Sequence, residues 1–346
     1  MKILFFTRAF LPMIGGLELG SAHLAEELTR LGHEVVVLTT TPGNAGNVAD
    51  DGSLPFRVIR RPGPWETLRW VLWCDVVHQP NLSLRGGWPW LLVRRPWVVS
   101  HHSWYRRTDG HIAWQDRLKR GLLRIVGGSI AVSRAIAADL RPPPVVIGNA
   151  YRDRLFRLLP STERTGELVF VGRLVSEKGA DLLLDALSAL AGEGLRPGLT
   201  IIGEGPEKMA LEEQTQRLGL GGQVRFLGLR TGEELVRLLN QHRILVMPSH
   251  YDEPFGTAAL EGIACGCAVV GSAGGGLADA VGPCGRTFPN GDVAALARVL
   301  GELLRDPGQR ETLQRNAPEH LSHHAGEVVA RRYLEVFRQA MRKSRP

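Results

Sequence analysis

Leu168-Val-Phe-Val171 runs into Gly172-Arg-Leu-Val-Ser-Glu-Lys-Gly179 and then into Ala180-Asp-Leu-Leu-Leu-Asp-Ala-Leu-Ser-Ala-Leu-Ala191. The four apolar residues read as a buried strand. The glycine-bounded stretch reads as a loop, and the leucine-rich stretch as a helix. The unit then repeats. Strands are expected at residues 199–202, 224–227, 244–247 and 268–271. Helices are expected at 206–218, 231–240, 256–264 and 293–304. The N-terminus carries the same alternation: a strand at 2–7, Gly15-Gly16, a helix at 19–31 ended by Gly32, and a strand at 34–39. Residues 75–78, 97–101 and 130–132 read as further buried strands, the last followed by a helix after Ser133.

Alternating strand–helix units imply mostly parallel sheets with right-handed crossovers. Residues 151–166 interrupt the alternation with a polar, arginine-rich stretch containing Pro160. A chain of 346 residues also exceeds the size at which one core usually splits. The expected fold is therefore α/β, with two Rossmann-like doubly wound domains facing across a cleft. Ligands of such sheets bind beyond the carboxyl ends of the strands, so the active site is expected in that cleft. The expected domains are 1–157 for the acceptor and 158–322 for the donor. Residues 323–346 are expected to form a C-terminal helix packing back on the first domain.

Composition narrows the class. Hydrophobic residues make up 44% and charged residues 22%, an ordinary globular balance. No apolar run approaches the roughly 20 residues of a membrane span. Arg8 interrupts the apolar run 3–6 too early for a secretory leader, so the expected location is cytoplasmic. Cys74, Cys265, Cys267 and Cys284 lack the spacing of a metal site and read as small buried residues. The charge is uneven. Residues 57–124 hold 13 Lys/Arg against 4 Asp/Glu, a net of +9, and all 8 tryptophans lie between 65 and 114. Tryptophan suits the membrane–water interface, and arginine suits an anionic leaflet. An anionic membrane surface is therefore an expected partner through residues 57–124, with a stacking platform for a soluble saccharide as the competing reading. Nucleic acid is not expected as a partner.

The chemistry concentrates in three places. Glu253-Pro-Phe-Gly-Thr-Ala-Ala-Leu-Glu261 follows a strand and opens a helix at Gly256. A helix N-terminus presents unpaired N–H groups and a positive dipole end, which suit phosphate or sugar hydroxyls. Glu253 at its mouth is placed to accept from sugar hydroxyls, and Glu261, further in, to hold a diol such as a ribose. Arg173 and Lys178, in the loop after residues 168–171, form a pair of cations fit to clamp a diphosphate. Gly15-Gly16 and Gly203-Glu-Gly-Pro206 are points of close backbone approach. The dinucleotide pattern GxGxxG and the P-loop Lys-Ser/Thr are absent, which disfavours a dehydrogenase or an NTPase.

Taken with Pro96-Trp-Val-Val-Ser-His-His102, the Val132-Ser133 turn, Gly274-Gly275-Gly276 and Gly291-Asp292, these motifs resemble the retaining GT-B glycosyltransferases of family four over nearly the whole chain. The resemblance implies sugar transfer from a nucleoside-diphosphate sugar to a saccharide or lipid-linked acceptor, in cell-surface glycan synthesis. A UDP-sugar is favoured and a GDP-sugar is the alternative. It implies that Glu261 holds the donor ribose, that Arg173 and Lys178 neutralise the diphosphate, and that Glu253 binds the sugar with the backbone of Phe255, Gly256 and Thr257. It implies that Gly15 and Gly16 approach the phosphate, with Gly203 nearby, and that His102, rather than His101, lies beside the transferred sugar. The expected catalytic set is His102, Arg173, Lys178 and Glu253. No cofactor is expected, since the nucleotide sugar is a co-substrate. No metal is expected, since no Asp-x-Asp motif occurs. Two other readings of the same fold are a sugar-phosphate synthase or glycoside phosphorylase, and a catalytically silent binding module. The chain departs from the family at Asn149-Ala150-Tyr151, where Asn-Gly is common, and at Asp279, where glutamate is common.

Overall fold

The computed structural model describes residues 1–13, 15–43, 54–83, 88–106 and 110–344, without the side chains of Trp90 and Leu91. The chain divides into two compact units: Met1–Ala150 with Ala325–Pro346, and Tyr151–His324. The division falls at 150/151, ahead of the 157/158 expected from composition. Residues just after it are tied into the second unit: the Tyr151 amide donates to the His324 carbonyl at 3.2 Å, and Asn240 Nδ2 donates to the Arg157 carbonyl at 3.0 Å.

The first unit holds β1 (Lys2–Thr7), β2 (Glu34–Thr39), β3 (Arg57–Arg60), β4 (Val76–Pro80), β5 (Trp97–His101), β6 (Gly128–Ala131) and β7 (Val145–Val146). The sheet order is β3-β2-β1-β4-β5-β6-β7, and every pairing is parallel. Strands β4 and β5 are buried along their whole length. That burial is why Val76-Val77 and Trp97-Val98-Val99 read as apolar with no alternation, while His78, Gln79, Ser100 and His101 carry polar groups into the interior. Helix Gly326–Lys343 packs on this sheet, burying Val329, Ala330, Tyr333, Leu334, Val336, Phe337 and Ala340 at helical spacing.

The second unit holds β8 (Gly166–Val171), β9 (Leu199–Ile202), β10 (Val224–Gly228), β11 (His242–Met247), β12 (Ala268–Ser272) and β13 (Gly285–Phe288), ordered β10-β9-β8-β11-β12-β13 and all parallel. Its core joins Leu168, Phe170 and Val246 from the sheet to Leu183, Leu187 and Leu300 from flanking helices. In each unit strand order reverses beside the first strand: between β1 and β4, and between β8 and β11. Such a switch point opens a crevice at the carboxyl ends of two neighbouring strands.

Candidate active site

In the second unit, the loops leaving β8 and β11 meet at the switch point. The first makes one turn of 3-10 helix at Ser176–Lys178, ended by Gly179 in the left-handed region at φ 68. A side chain at Gly179 would run into the Pro248 carbonyl, so only glycine fits. The two loops are also joined by the His250 amide, which donates to the Glu177 carbonyl at 3.0 Å. Gly203, after β9, lies against the Gly172 carbonyl with no room for a side chain, and its amide donates to the Gly228 carbonyl at 2.9 Å.

This contact delivers Lys178 to Glu253. Lys178 Nζ lies 2.5 Å from Glu253 Oε1, which also accepts from Ser249 Oγ at 2.7 Å. The Tyr251 hydroxyl donates to Glu253 Oε2 at 2.9 Å, and its ring lies 5.4 Å beneath the Lys178 ammonium. Burial raises the Tyr251 pKa, the Glu253 carboxylate raises it further, and Arg173 opposes both. Tyr251 is therefore a neutral donor. Glu253 is only 4% exposed, and three of a carboxylate's roughly four acceptor positions are filled. Its backbone is fixed as well: it bridges to Gly275, and its carbonyl accepts from the Gly276 amide at 2.6 Å. Arg173 stands exposed on the same loop as Lys178.

Beyond Glu253 the chain buries Phe255 and turns at Gly256 (φ 95) into helix Thr257–Ala264, whose start has no side-chain cap. Glu261, on that helix, is half-buried. Burial pushes its carboxyl up to about 7, against the pull of Arg152. Of the expected donor residues, Arg173, Lys178, Gly203, Glu253, Phe255, Gly256, Thr257 and Glu261 all lie in this unit. Lys178 and Glu253 are in direct contact.

Gly15, Gly16 and His102 lie in the first unit. Gly15, in extended backbone, precedes helix Gly16–Arg30, again without a side-chain cap. His101 ends β5 fully buried, its Nδ1 on the Tyr105 hydroxyl and its Nε2 on Ser129 Oγ, both at 2.8 Å. His102, one residue on, lines a cavity with Gly20, Ser21, His78, Asn149 and Tyr333. Its Nε2 meets Ser100 Oγ at 2.8 Å, and burial lowers its pKa to about 4. The imidazole is neutral at physiological pH.

Sequence reading missed Ser249 and Tyr251 as partners of Glu253, and Ser100 and His78 as partners of His102. No sequence periodicity gives the first pair, because the chain bends at His250 and Tyr251 between Ser249 and Glu253.

Two doubly wound parallel units in one chain, each with polar groups gathered at its switch point, define a protein of the GT-B class. Residues 14–151 match Glycosyltransferase Family 4, and residues 152–320 match Glycosyl transferases group 1. The chain belongs to this glycosyltransferase family. It is 36% identical over 388 residues to D-inositol 3-phosphate glycosyltransferase of Corynebacterium urealyticum, covering 94% of this chain and 90% of that protein. It is 36% identical over 200 residues to the protein of the same name from Salinispora tropica, covering 55% of this chain and 41% of that protein. The chain thus spans less than half the length of that relative. The structure of Anabaena Alr3699/HepE in complex with UDP shares the fold, with a TM-score of 0.81 at 21% identity, covering 97% of this chain and 99% of that one.

Proposed function

We propose that the chain transfers a hexosyl group from a nucleoside-diphosphate sugar, a UDP-sugar in the first instance, to a saccharide or lipid-linked acceptor with retention of anomeric configuration. The observation that carries this reading is the Lys178–Glu253 contact at the switch point of the second unit. Departure of a nucleoside diphosphate builds negative charge on its phosphate oxygens. Preorganised donors and cations stabilise that charge most where they need not reorganise. Glu253 and the Tyr251 ring hold Lys178 in place, Arg173 adds a second cation, and the helix start at Gly256 adds backbone N–H groups. Glu261 then takes the ribose diol. No step in this scheme needs a metal ion.

Ligand binding raises apparent stability by mass action, so thermal shift with UDP, GDP and ADP at matched concentrations tests the reading. UDP is expected to raise Tm most. No shift with any of the three would sink the donor assignment.

The membrane part of the reading is tested at one of the elements that expose apolar side chains; Trp65, Leu72 and Leu92 are also exposed, at 84%, 51% and 67%, with Arg69 and Arg94 exposed near them. Trp97 is core, Trp104 lies under the Arg106 guanidinium, and Arg95 donates to the Leu72 carbonyl. Arg107 lies outside the described residues. By contrast, Trp114, Leu118 and Ile125 are 70%, 48% and 52% exposed, along helix Trp114–Leu122 and the turn after it, with Arg117 and Arg124 exposed beside them. An apolar stripe flanked by arginine suits an anionic bilayer surface. Charge reversal at Arg117 and Arg124 is expected to reduce co-sedimentation with anionic vesicles. Retention of the protein in the supernatant at low salt, with no variant needed, would abandon docking in favour of a soluble saccharide acceptor.

A further inference from the structure

The tryptophans gathered between 65 and 114 do not share one environment. Trp97 is core and Trp65 stands exposed. Trp70 and Trp73 are half-buried in the last turn of helix Pro64–Trp73, their rings edge to face at 5.3 Å. With Thr29, His33, Glu34 and Arg57 they line a pocket of about 410 Å³. That volume falls within the roughly 300–1,000 Å³ of small-molecule sites.

The parallel topology places this pocket. Thr29 and Trp73 lie in the last turns of helices that run back along the sheet, and Glu34 and Arg57 are the first residues of β2 and β3. The pocket therefore lies at the amino ends of the strands. Gly15 and His102 follow the carboxyl ends of β1 and β5, at the opposite end of the same sheet. The pocket is built from the first unit alone and shares no residue with the proposed donor and sugar contacts.

The chemistry of its lining is mixed in a particular way. Glu34 and Val36 alternate on β2 and so share a face, and Arg57 is the register partner of Val36 on β3. An exposed carboxylate and an exposed guanidinium thus open on one pocket, yet they form no ion pair among the described residues. The Arg57 guanidinium stands over the Trp70 ring at 5.2 Å, and the Lys2 ammonium over the Trp73 ring at 5.6 Å. Neither indole N–H has a hydrogen-bond partner among the described residues, and neither is sealed from solvent. These groups select a ligand. An anion meets Glu34, and a cation meets Arg57 and Lys2, so either is opposed. A neutral polyol satisfies both signs. Each hydroxyl can donate and accept, so one accepts from Arg57 or an indole N–H while a neighbour donates to Glu34. The C–H face of a hexose ring then covers the apolar part of an indole, whose N–H stays at the polar edge.

We propose that this pocket is a second saccharide-binding site, taking a neutral hexose residue, free or within a chain, and holding it without a part in transfer. The choice of a saccharide over another polyol rests on the acceptor class proposed above; the placement of the pocket and its polar set do not.

Indole proton–nitrogen spectra of the full chain with nitrogen-15 tryptophan give one signal per indole, and Trp70→Phe and Trp73→Phe assign the two that matter. The probes are the methyl glycosides of glucose, galactose, mannose and N-acetylglucosamine. At least one is expected to move the Trp70 and Trp73 signals in a saturable way. Glu34→Gln and Arg57→Met, both at exposed positions, are each expected to weaken that binding by about 3- to 10-fold, the loss of one hydrogen bond, while release of UDP from UDP-glucose stays at the wild-type rate. The proposal is overturned if no probe moves any indole signal, if only other indoles respond, or if affinity is unchanged in both variants. Signals that move with anionic phosphatidylglycerol vesicles and with no saccharide also overturn it, and give this face to the membrane. Failure of the donor reading is a separate result: it shows as the absence of a thermal shift with UDP, GDP and ADP, and leaves the saccharide titration standing.

Discussion

Two carboxylates, eight positions apart on one strand–loop–helix segment, live in opposite conditions. Glu253 is buried but well supplied with donors: an ammonium, a serine hydroxyl and a phenol all point at it. Glu261 is half-buried and poor in partners, with only the field of Arg152 to favour its charge, and its carboxyl titrates near neutrality. The sequence assigns the two to different parts of the donor, Glu253 to the sugar and Glu261 to the ribose, and the contrast in partners adds a second difference between them. A carboxylate whose acceptor positions are nearly full serves to hold what surrounds it, here the Lys178 ammonium. A carboxylate kept short of donors is ready to accept them from a ligand, and two vicinal hydroxyls are such a pair of donors.

The largest effect that would break this contrast is expected at Lys178. Lys178→Met leaves Glu253 buried without its cation, and removing one partner of a buried ion pair costs about 3 kcal/mol or more. The same substitution removes a charge-assisted contact to the diphosphate, worth roughly 10- to 100-fold in affinity. Urea denaturation and titration with UDP are expected to show both losses together. A variant of wild-type stability would mean that Glu253 does not depend on Lys178 and that the anchor role is wrong.

The next effect is expected at Glu261 and depends on pH. Its folded-state pKa of about 7 lies above the ordinary 4.5. Between these values the folded chain holds a proton that the unfolded chain has released. Stability from this group is therefore present at low pH and is lost as pH rises through about 4.5 to 7. Glu261→Gln removes that slope, so the variant gains on the wild type between pH 5 and pH 8. Ligand binding runs the other way. Ribose hydroxyls donate to the ionised carboxylate, so the UDP affinity of the wild type is expected to exceed that of Glu261→Gln by about 3–10-fold at pH 8 and by less at pH 6. The difference between the two proteins cancels the titration of UDP itself. A pH-independent difference would show that Glu261 is not the group that loses a proton on binding.

What the sequence showed of this contrast follows from how each feature is encoded. The strands at 168–171, 199–202 and 268–271 were legible because residues buried on both faces form apolar runs bounded by glycine. The structure extends the first to Gly166 and the last to Ser272. Strand β3 and helix Pro64–Trp73 went unread, because Arg57–Arg60 is a half-exposed edge with charge at both ends, and the helix buries only Thr67 and Val71. Glu253, Lys178 and Glu261 were legible as residue types placed after strands. Which of the two carboxylates had partners was not, because Lys178 reaches Glu253 across 75 positions of chain. That pairing exists only once β8 and β11 lie side by side.

The smallest effect, and the one that sharpens the contrast most, belongs to Tyr251. Its hydroxyl donates to the Glu253 carboxylate and accepts from Lys178 Nζ at 3.4 Å, and its ring offers the Lys178 ammonium a face at 5.4 Å. Tyr251→Phe keeps the face and removes the hydroxyl, so the expected cost is that of one hydrogen bond to a charged group, about 1.5 kcal/mol at the low end. Lys178 remains held by Glu253 Oε1 and by the ring, so UDP affinity is expected to change less than it does in Lys178→Met. Tyr251→Leu removes the face as well, and a cation over an aromatic ring at a partly exposed site contributes about 0.5–1 kcal/mol more. The ranking Leu below Phe below wild type, measured by urea midpoint at constant slope, is expected if the phenol and the ring act separately on the anchor. Equal stability of Tyr251→Phe and the wild type would mean that the third acceptor position of Glu253, and not only the fourth, is open to the sugar. The sharp division of roles between the two carboxylates would then have to be given up.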